Sequence, residues 1–80
     1  MEELVLNLVK LHTTTLGIGR IKRNLDLDTD DVVSWCKQKI GNQECSVIRR
    51  GKNWYVRIED CEITVNAHGY TIITAHKTDR

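Results

Sequence analysis

Eighty residues, with 12 Lys and Arg against 11 Asp and Glu, 40% hydrophobic and 29% charged, describe one small domain over residues 1–80 and leave no length for a second. The composition is that of an ordinary globular chain, which sets aside the disordered and membrane-embedded classes. No apolar run approaches the roughly 18 residues of a membrane span, and Glu2 and Glu3 stand where a secretory leader would be basic, so a cytoplasmic protein without a membrane partner is expected.

The first 41 residues carry helical spacing. Leu4, Leu8 and Leu11, widened by Val5 and Val9, predict an amphipathic helix from Glu2 to about Thr14. Thr13 to Thr15 interrupt it, and Leu16, Ile21 and Leu25 predict a second helix whose polar face holds Arg20, Lys22 and Arg23, with fusion of the two left open. A third helix of about twelve residues follows, capped by Asp28 or Thr29. Asp30 and Asp31 fall in its first turn, Lys37 and Lys39 in its last, and Gly41 closes it. Its apolar stripe is Val32, Val33, Cys36 and Ile40, with Trp35 at the edge. Capping accounts for the acidic cluster, which lacks the register of a calcium loop.

After Gly41 the period changes to two. Val47 and Ile48 precede a turn-like Arg49-Arg50-Gly51-Lys52-Asn53, and Trp54 to Ile58 alternate as a strand. Glu59-Asp60 marks a second turn, Ile63 to Asn66 a third strand, Ala67-His68-Gly69 a third turn, and Tyr70 to His76 a last strand. The expected fold is α+β: two or three N-terminal helices, about 2–41, packed on one face of a C-terminal antiparallel meander of three to four strands, about 45–77. Two or three helices cannot cover both faces, so one face stays open.

Alternation then sorts the side chains. Trp54, Val56, Ile58, Ile63 and Val65 point to the core, whereas Tyr55, Arg57, Thr64 and Asn66 point away. In the last strand a one-residue change of register decides which set is open; Tyr70, Thr74 and His76 are placed there with Tyr55, Arg57 and Asn66. Such a face suits a phosphodiester. Arginine neutralises phosphate, histidine exchanges a proton near neutral pH, tyrosine stacks on a base, and an amide reads a base edge. Cleavage of RNA needs no metal, because the 2′-hydroxyl is the nucleophile. Arg49, Arg50, Lys52 and Arg57 form an acid-free basic segment, a local patch on a chain of formal charge +1. His12, at a helix end, reads first as a cap or surface residue, and His68, beside Gly69, as a turn residue. Cys36, Cys45 and Cys61 cannot all pair and show no zinc spacing. Reduced, largely buried thiols are expected, with a site from Cys45, Cys61, His68 and His76 the alternative. No metal and no cofactor is assigned.

The strings Leu11-His12-Thr13-Thr14-Thr15-Leu16-Gly17, Arg20-Ile21-Lys22-Arg23-Asn24-Leu25, Gly51-Lys52-Asn53-Trp54-Tyr55 and Ile63-Thr64-Val65-Asn66-Ala67-His68, through Tyr70 to Lys77, resemble a family of small bacterial proteins known as a domain of unknown function. That likeness covers almost the whole chain and implies no reaction, cofactor or partner. A more distant similarity is to the barnase, colicin and RelE-like ribonucleases, many of them toxins, which cut RNA without a metal. It rests on an N-terminal helix, an Arg-x-x-Arg segment leading into a helix with paired Val, and a sheet ending in Ile-Ile-Thr-Ala-His. It implies roles for Thr74 on the last strand, for Arg20 and Arg23 on the helix, and for His12 or His76 in proton transfer. This chain departs from it in offering no obvious general base.

Two functions follow. One is a non-catalytic module binding RNA or a protein, such as a nucleic-acid enzyme that it inhibits, through Arg20, Arg23, Arg49, Arg50, Lys52, Tyr55, Arg57, Asn66 and Tyr70. The other is a metal-independent ribonuclease with His76, His12 and Thr74 at its centre. A second copy joined through a sheet edge is a further expected partner.

Overall fold

A computed structural model describes residues 3–41 and 45–78. Its elements run α1 (Glu3–Leu6), a single 3₁₀ turn (Leu8–Lys10), α2 (Thr15–Leu25), α3 (Val32–Ile40), β1 (Ser46–Arg50), β2 (Asn53–Ile58), β3 (Cys61–Asn66) and β4 (Ile72–Lys77). The strands form one antiparallel sheet in the order β1-β2-β3-β4. The α+β meander with N-terminal helices is therefore the architecture of the chain.

The first helix is shorter than its leucine spacing predicts. Leu4 and Leu11 are buried, but the chain leaves the helical path at Asn7 and is extended at Leu11; the expected first residue, Glu2, lies outside the described residues. The reason is a competing partner. His12 forms a parallel bridge with Thr71, its N–H donating to the Tyr70 carbonyl and its carbonyl accepting from the Ile72 N–H. Residues 11 to 14 must be extended to make those bonds, so α1 and α2 do not fuse.

Thr14 caps α2 by accepting from the Gly17 N–H, and Asp26, left-handed at φ 56°, closes it. The buried stripe is Gly17, Ile21 and Leu25 at i, i+4 spacing, with Ile18 partly buried beside it. Leu16, expected in that stripe, is 78% exposed. The cap of α3 is Asp31, whose carboxylate accepts from the Ser34 N–H. The acidic run thus caps later than expected, giving nine helical residues, with Asp28 and Thr29 before the helix. Asp30 pairs with Lys22, which ties α3's entry to α2 and lowers the Asp30 carboxyl.

The strands connect by two-residue turns at Gly51-Lys52 and Glu59-Asp60. Gly51 sits at φ 62° and Glu59 at φ 56°, the positive first position that a tight hairpin requires. Between β3 and β4 the register shifts at Thr64/Val65: Thr64 pairs with Thr74, yet Val65 pairs with Ile72, leaving Ile73 as the extra residue of a bulge.

Trp54, Val56, Ile58, Cys61, Ile63, Val65, Ile72 and Ala75 join Leu4, Leu11, Ile21, Leu25, Val32, Cys36 and Ile40 in one core on the helix side of the sheet. α2 lies against β4 and α3 against α2 and β2. The helices cover one face, as expected from their number.

The bulge corrects one assignment. Tyr70 is not on the open face; it is 8% exposed, packed at 5.3 Å between ring centroids on Trp54. Arg49 and Lys10 lie over the Trp54 and Tyr70 rings respectively, so the aromatic pair is closed at both ends by cations.

Candidate functional site

Pairing register places the open-face side chains in rows across the strands. One row is Ser46, Arg57, Glu62 and His76; the next is Ile48, Tyr55, Thr64 and Thr74; a third holds Arg50, Asn53 and Asn66. The two-residue Glu59-Asp60 turn makes Arg57 and Glu62 a non-hydrogen-bonded cross-strand pair, the class in which side chains approach most closely. Arg57 Nε accordingly donates to Glu62 Oε2 at 3.0 Å, and His76 Nε2 stands 4.0 Å from Glu62 Oε1. A carboxylate is thus held between a guanidinium and an imidazole, one side chain from each of three neighbouring strands.

Beside this row the Arg50 guanidinium lies 5.8 Å from the centre of the Tyr55 ring. Ile48, Arg50, Tyr55, Arg57 and Glu62 surround a shallow depression of about 390 Å³. Thr64, 7% exposed, is the buried centre of the face between Tyr55 and Thr74. Asn53 Nδ2 donates to the Tyr55 hydroxyl at 3.4 Å, and its Oδ1 is buried without a hydrogen-bond partner among the described residues. The chemistry assembled is therefore two fixed cations, one aromatic face, one carboxylate and one imidazole, all open to a ligand from one side.

The family model described as Protein of unknown function (DUF3781) matches residues 5–76. The chain belongs to the DUF3781 family. No curated protein and no solved structure matches it.

The fold of this DUF3781 chain divides the residues expected to act together. Arg50, Tyr55, Arg57, Thr74 and His76 share the open face; Asn66 joins them by register, but its Oδ1 accepts from the His68 and Gly69 N–H groups and so shapes the last turn. Arg49 projects to the opposite face over Trp54. Lys52 sits in the hairpin turn, where its carbonyl accepts from the Ala67 N–H. Arg20 reaches the far edge of the sheet and donates to the Ile73 carbonyl at 3.2 Å; Arg23 is exposed on α2. These four are not part of the open face, because α2 runs along β4 and β1 presents alternate residues to opposite sides.

His12 is also elsewhere. Its Nδ1 lies 3.0 Å from the Lys10 carbonyl, which can only accept, so Nδ1 donates there, and Nε2 shares a hydrogen bond with the Thr71 hydroxyl at 3.0 Å. Both ring nitrogens are engaged in holding the α1–α2 link to β4, which places His12 away from the open face. The cysteines and remaining histidines stay apart: Cys61 Sγ donates to the Ile58 carbonyl and Cys45 Sγ to that of Ile40, while His76 is on the open face. Among the described residues no three such side chains converge on a metal position.

Glu62 is the side chain of this candidate site that sequence reading passed over. It follows two acids of a turn, Glu59 and Asp60, and reads as part of the same solvated cluster. The signal was nonetheless present, because a two-residue turn at Glu59-Asp60 counts Glu62 onto Arg57 and onto the open face.

Proposed function

We propose that the open sheet face binds single-stranded RNA as a non-catalytic module. The observation that carries this reading is the grouping of Arg50, Arg57 and Tyr55 around one depression on a face that no described helix covers. Each guanidinium can grip a phosphate in a fork, and the Tyr55 ring lies where a base can stack once Arg50 turns toward phosphate. Glu62 repels phosphate but accepts hydrogen bonds, which favours a ligand with donors next to its phosphates. A 2′-hydroxyl is such a donor, so the site discriminates RNA from DNA.

A second reading, cleavage of that RNA, is favoured by the 4.0 Å approach of His76 to Glu62. It supplies the base that the sequence did not display. Glu62 would take the 2′-hydroxyl proton as that oxygen attacks phosphorus. Protonated His76 would give a proton to the departing 5′-oxygen, and a 2′,3′-cyclic phosphate would remain, with Arg57 stabilising the added negative charge.

One experiment tests both: labelled mixed-sequence RNA is incubated in EDTA with the wild type and with Arg57→Ala, Glu62→Gln and His76→Ala, and the same samples are read by filter binding and by gel. Retention without cleavage, weakened by Arg57→Ala, supports the module. Cleavage abolished by Glu62→Gln or His76→Ala supports the enzyme. Neither signal overturns both readings and points to a protein partner.

A further inference from the structure

The two edges of the sheet are treated differently. At β4, three side chains occupy the outward carbonyls: Thr13 Oγ1 donates to Ile72 O at 2.8 Å, Arg20 to Ile73 O at 3.2 Å, and Asn24 Nδ2 to Ala75 O at 3.2 Å. That edge is sealed by α2 and the segment before it. At β1 no described group does this. The Gly51-Lys52 turn makes Arg50 and Asn53 a hydrogen-bonded pair, so Ser46, Ile48 and Arg50 bond inward to β2 while Val47 and Arg49 direct their N–H and C=O groups outward. Ile48, a large apolar residue on this edge, is 51% exposed. An edge of five residues that no described group covers, carrying an exposed isoleucine, is a template for another strand.

We infer that β1 pairs antiparallel with β1 of a second copy, about a two-fold axis through Ile48, and that each copy thereby supplies its Arg50 to the other's Arg57-Glu62-His76 row. The strand's own sequence selects this register. Pairing must set the outward-bonding Val47 and Arg49 opposite each other, or each opposite itself. Centring on Arg49 places two like charges face to face, which is unfavourable. Centring on Val47 sets Ile48 against Ser46 and leaves Arg50 beyond the paired strand. Centring on Ile48 sets Ile48 on Ile48, Ser46 on Arg50 and Val47 on Arg49, with no arginine opposite another and both exposed isoleucines in contact. It is also the register in which all five residues of each strand are paired.

The consequence for the site follows from the rows. Ser46 lies beside Arg57 in β2, so Arg50 of the second copy, opposite Ser46, extends the row to His76, Glu62, Arg57, Ser46 and the second copy's Arg50. Two strand spacings separate the arginines, roughly 9.5 Å, a distance that two phosphates of a strand can span. The two depressions, each lined by Ile48, become one basic trough across the six central strands of an eight-stranded sheet. The pairing itself does not involve RNA; only this effect on the site rests on the proposed RNA binding.

Cross-linking tests the register without disrupting the fold, in a Cys45→Ala background and in the absence of RNA. Ile48 would form a non-hydrogen-bonded pair with its own copy, with Cα atoms about 4.5 Å apart, within disulfide range. Ile48→Cys is expected to give a covalent dimer under mild oxidation. Ser46→Cys alone should not, whereas a mixture of Ser46→Cys with Arg50→Cys should. Sedimentation of the wild type should give twice the 9.2 kDa chain mass, and Ile48→Lys, with its circular dichroism retained, should sediment as a monomer. A monomeric wild type at about 100 μM, or cross-linking of Ile48→Cys no faster than of Ser46→Cys, overturns the inference whatever RNA does. With the dimer established, Ile48→Gln, which adds no charge to the depression and should also sediment as a monomer, should weaken RNA retention by a factor on the order of 10 to 100 through lost bivalency; unchanged retention by that monomer would leave the dimer standing and remove its role in the site.

Discussion

Single side chains in this protein take their chemistry from which side of the sheet they reach. Cys36 is fully buried on the helix side, and burial pushes its thiol up to about 12 from 9.0; burial moves Cys61 in the same direction. A thiol held neutral in the fold releases its proton at lower pH when unfolded. Between about 9 and about 12 the folded state therefore holds a proton that the unfolded state has lost, and the contribution, complete below that window, falls as pH rises through it. Urea unfolding from pH 8 to 10.5 should show stability declining, the Cys36 share approaching about 1.4 kcal/mol per pH unit inside the window. Cys36→Ala, which lowers stability at every pH by its cavity, should have the shallower alkaline slope. An equal slope in the variant would mean that Cys36 ionises no differently in the fold.

At the scale of elements, the joints between α2 and its neighbours carry more constraint than their length suggests. A Cβ at Gly17 would collide with Thr13 Oγ1, the same hydroxyl that bonds the Ile72 carbonyl. Gly17→Ala should therefore destabilise by about 1–3 kcal/mol despite the better helix propensity of alanine. In a Thr13→Ala background that collision is gone and only a tight approach of 3.3 Å to the Thr14 hydroxyl remains, so the same change should cost at least about 1 kcal/mol less than in the wild type. Additive effects in thermal or urea unfolding would deny the coupling. At α3, Asp31→Ala should cost about 1 kcal/mol, and Asp28→Ala nothing measurable, because only Asp31 accepts from the Ser34 N–H.

These joints also explain what the sequence could convey. The meander is legible because turn chemistry and period-two alternation around 49–53, 59–60 and 67–69 are local signals that set Tyr55, Arg57, Thr74 and His76 on one face, although the first turn is only Gly51-Lys52, Arg49, Arg50 and Asn53 being paired in the strands. The first helix is not, because Leu4, Leu8 and Leu11 suit a helix as well as a turn followed by an extended segment; the bridge from His12 to Thr71 that decides between them spans 59 residues. Tyr70 was misplaced for a similar reason. Alternation carries a face assignment along a strand only until a bulge, and the extra residue at Ile73 reverses the parity of everything before it.

For the whole molecule, a formal charge of +1 gives little long-range attraction to a polyanion, so RNA affinity must arise from the few cations of the open face rather than from the average surface. Two or three phosphate contacts per protomer at about 0.7 each predict a slope of log K against log salt of only about −1.4 to −2.1 per protomer for a single strand. Arg57→Ala should flatten the slope by about 0.7. Arg20→Ala, although it removes the same charge, should leave it unchanged, because Arg20 is committed to the Ile73 carbonyl at the sealed edge. Glu62→Gln should raise affinity by removing the one carboxylate that faces the phosphates, even if it abolishes cleavage. Filter binding between 50 and 300 mM salt checks all three. Equal flattening by Arg20→Ala and Arg57→Ala would mean that RNA senses total charge and not this face, and the site would then have to be sought elsewhere on the molecule.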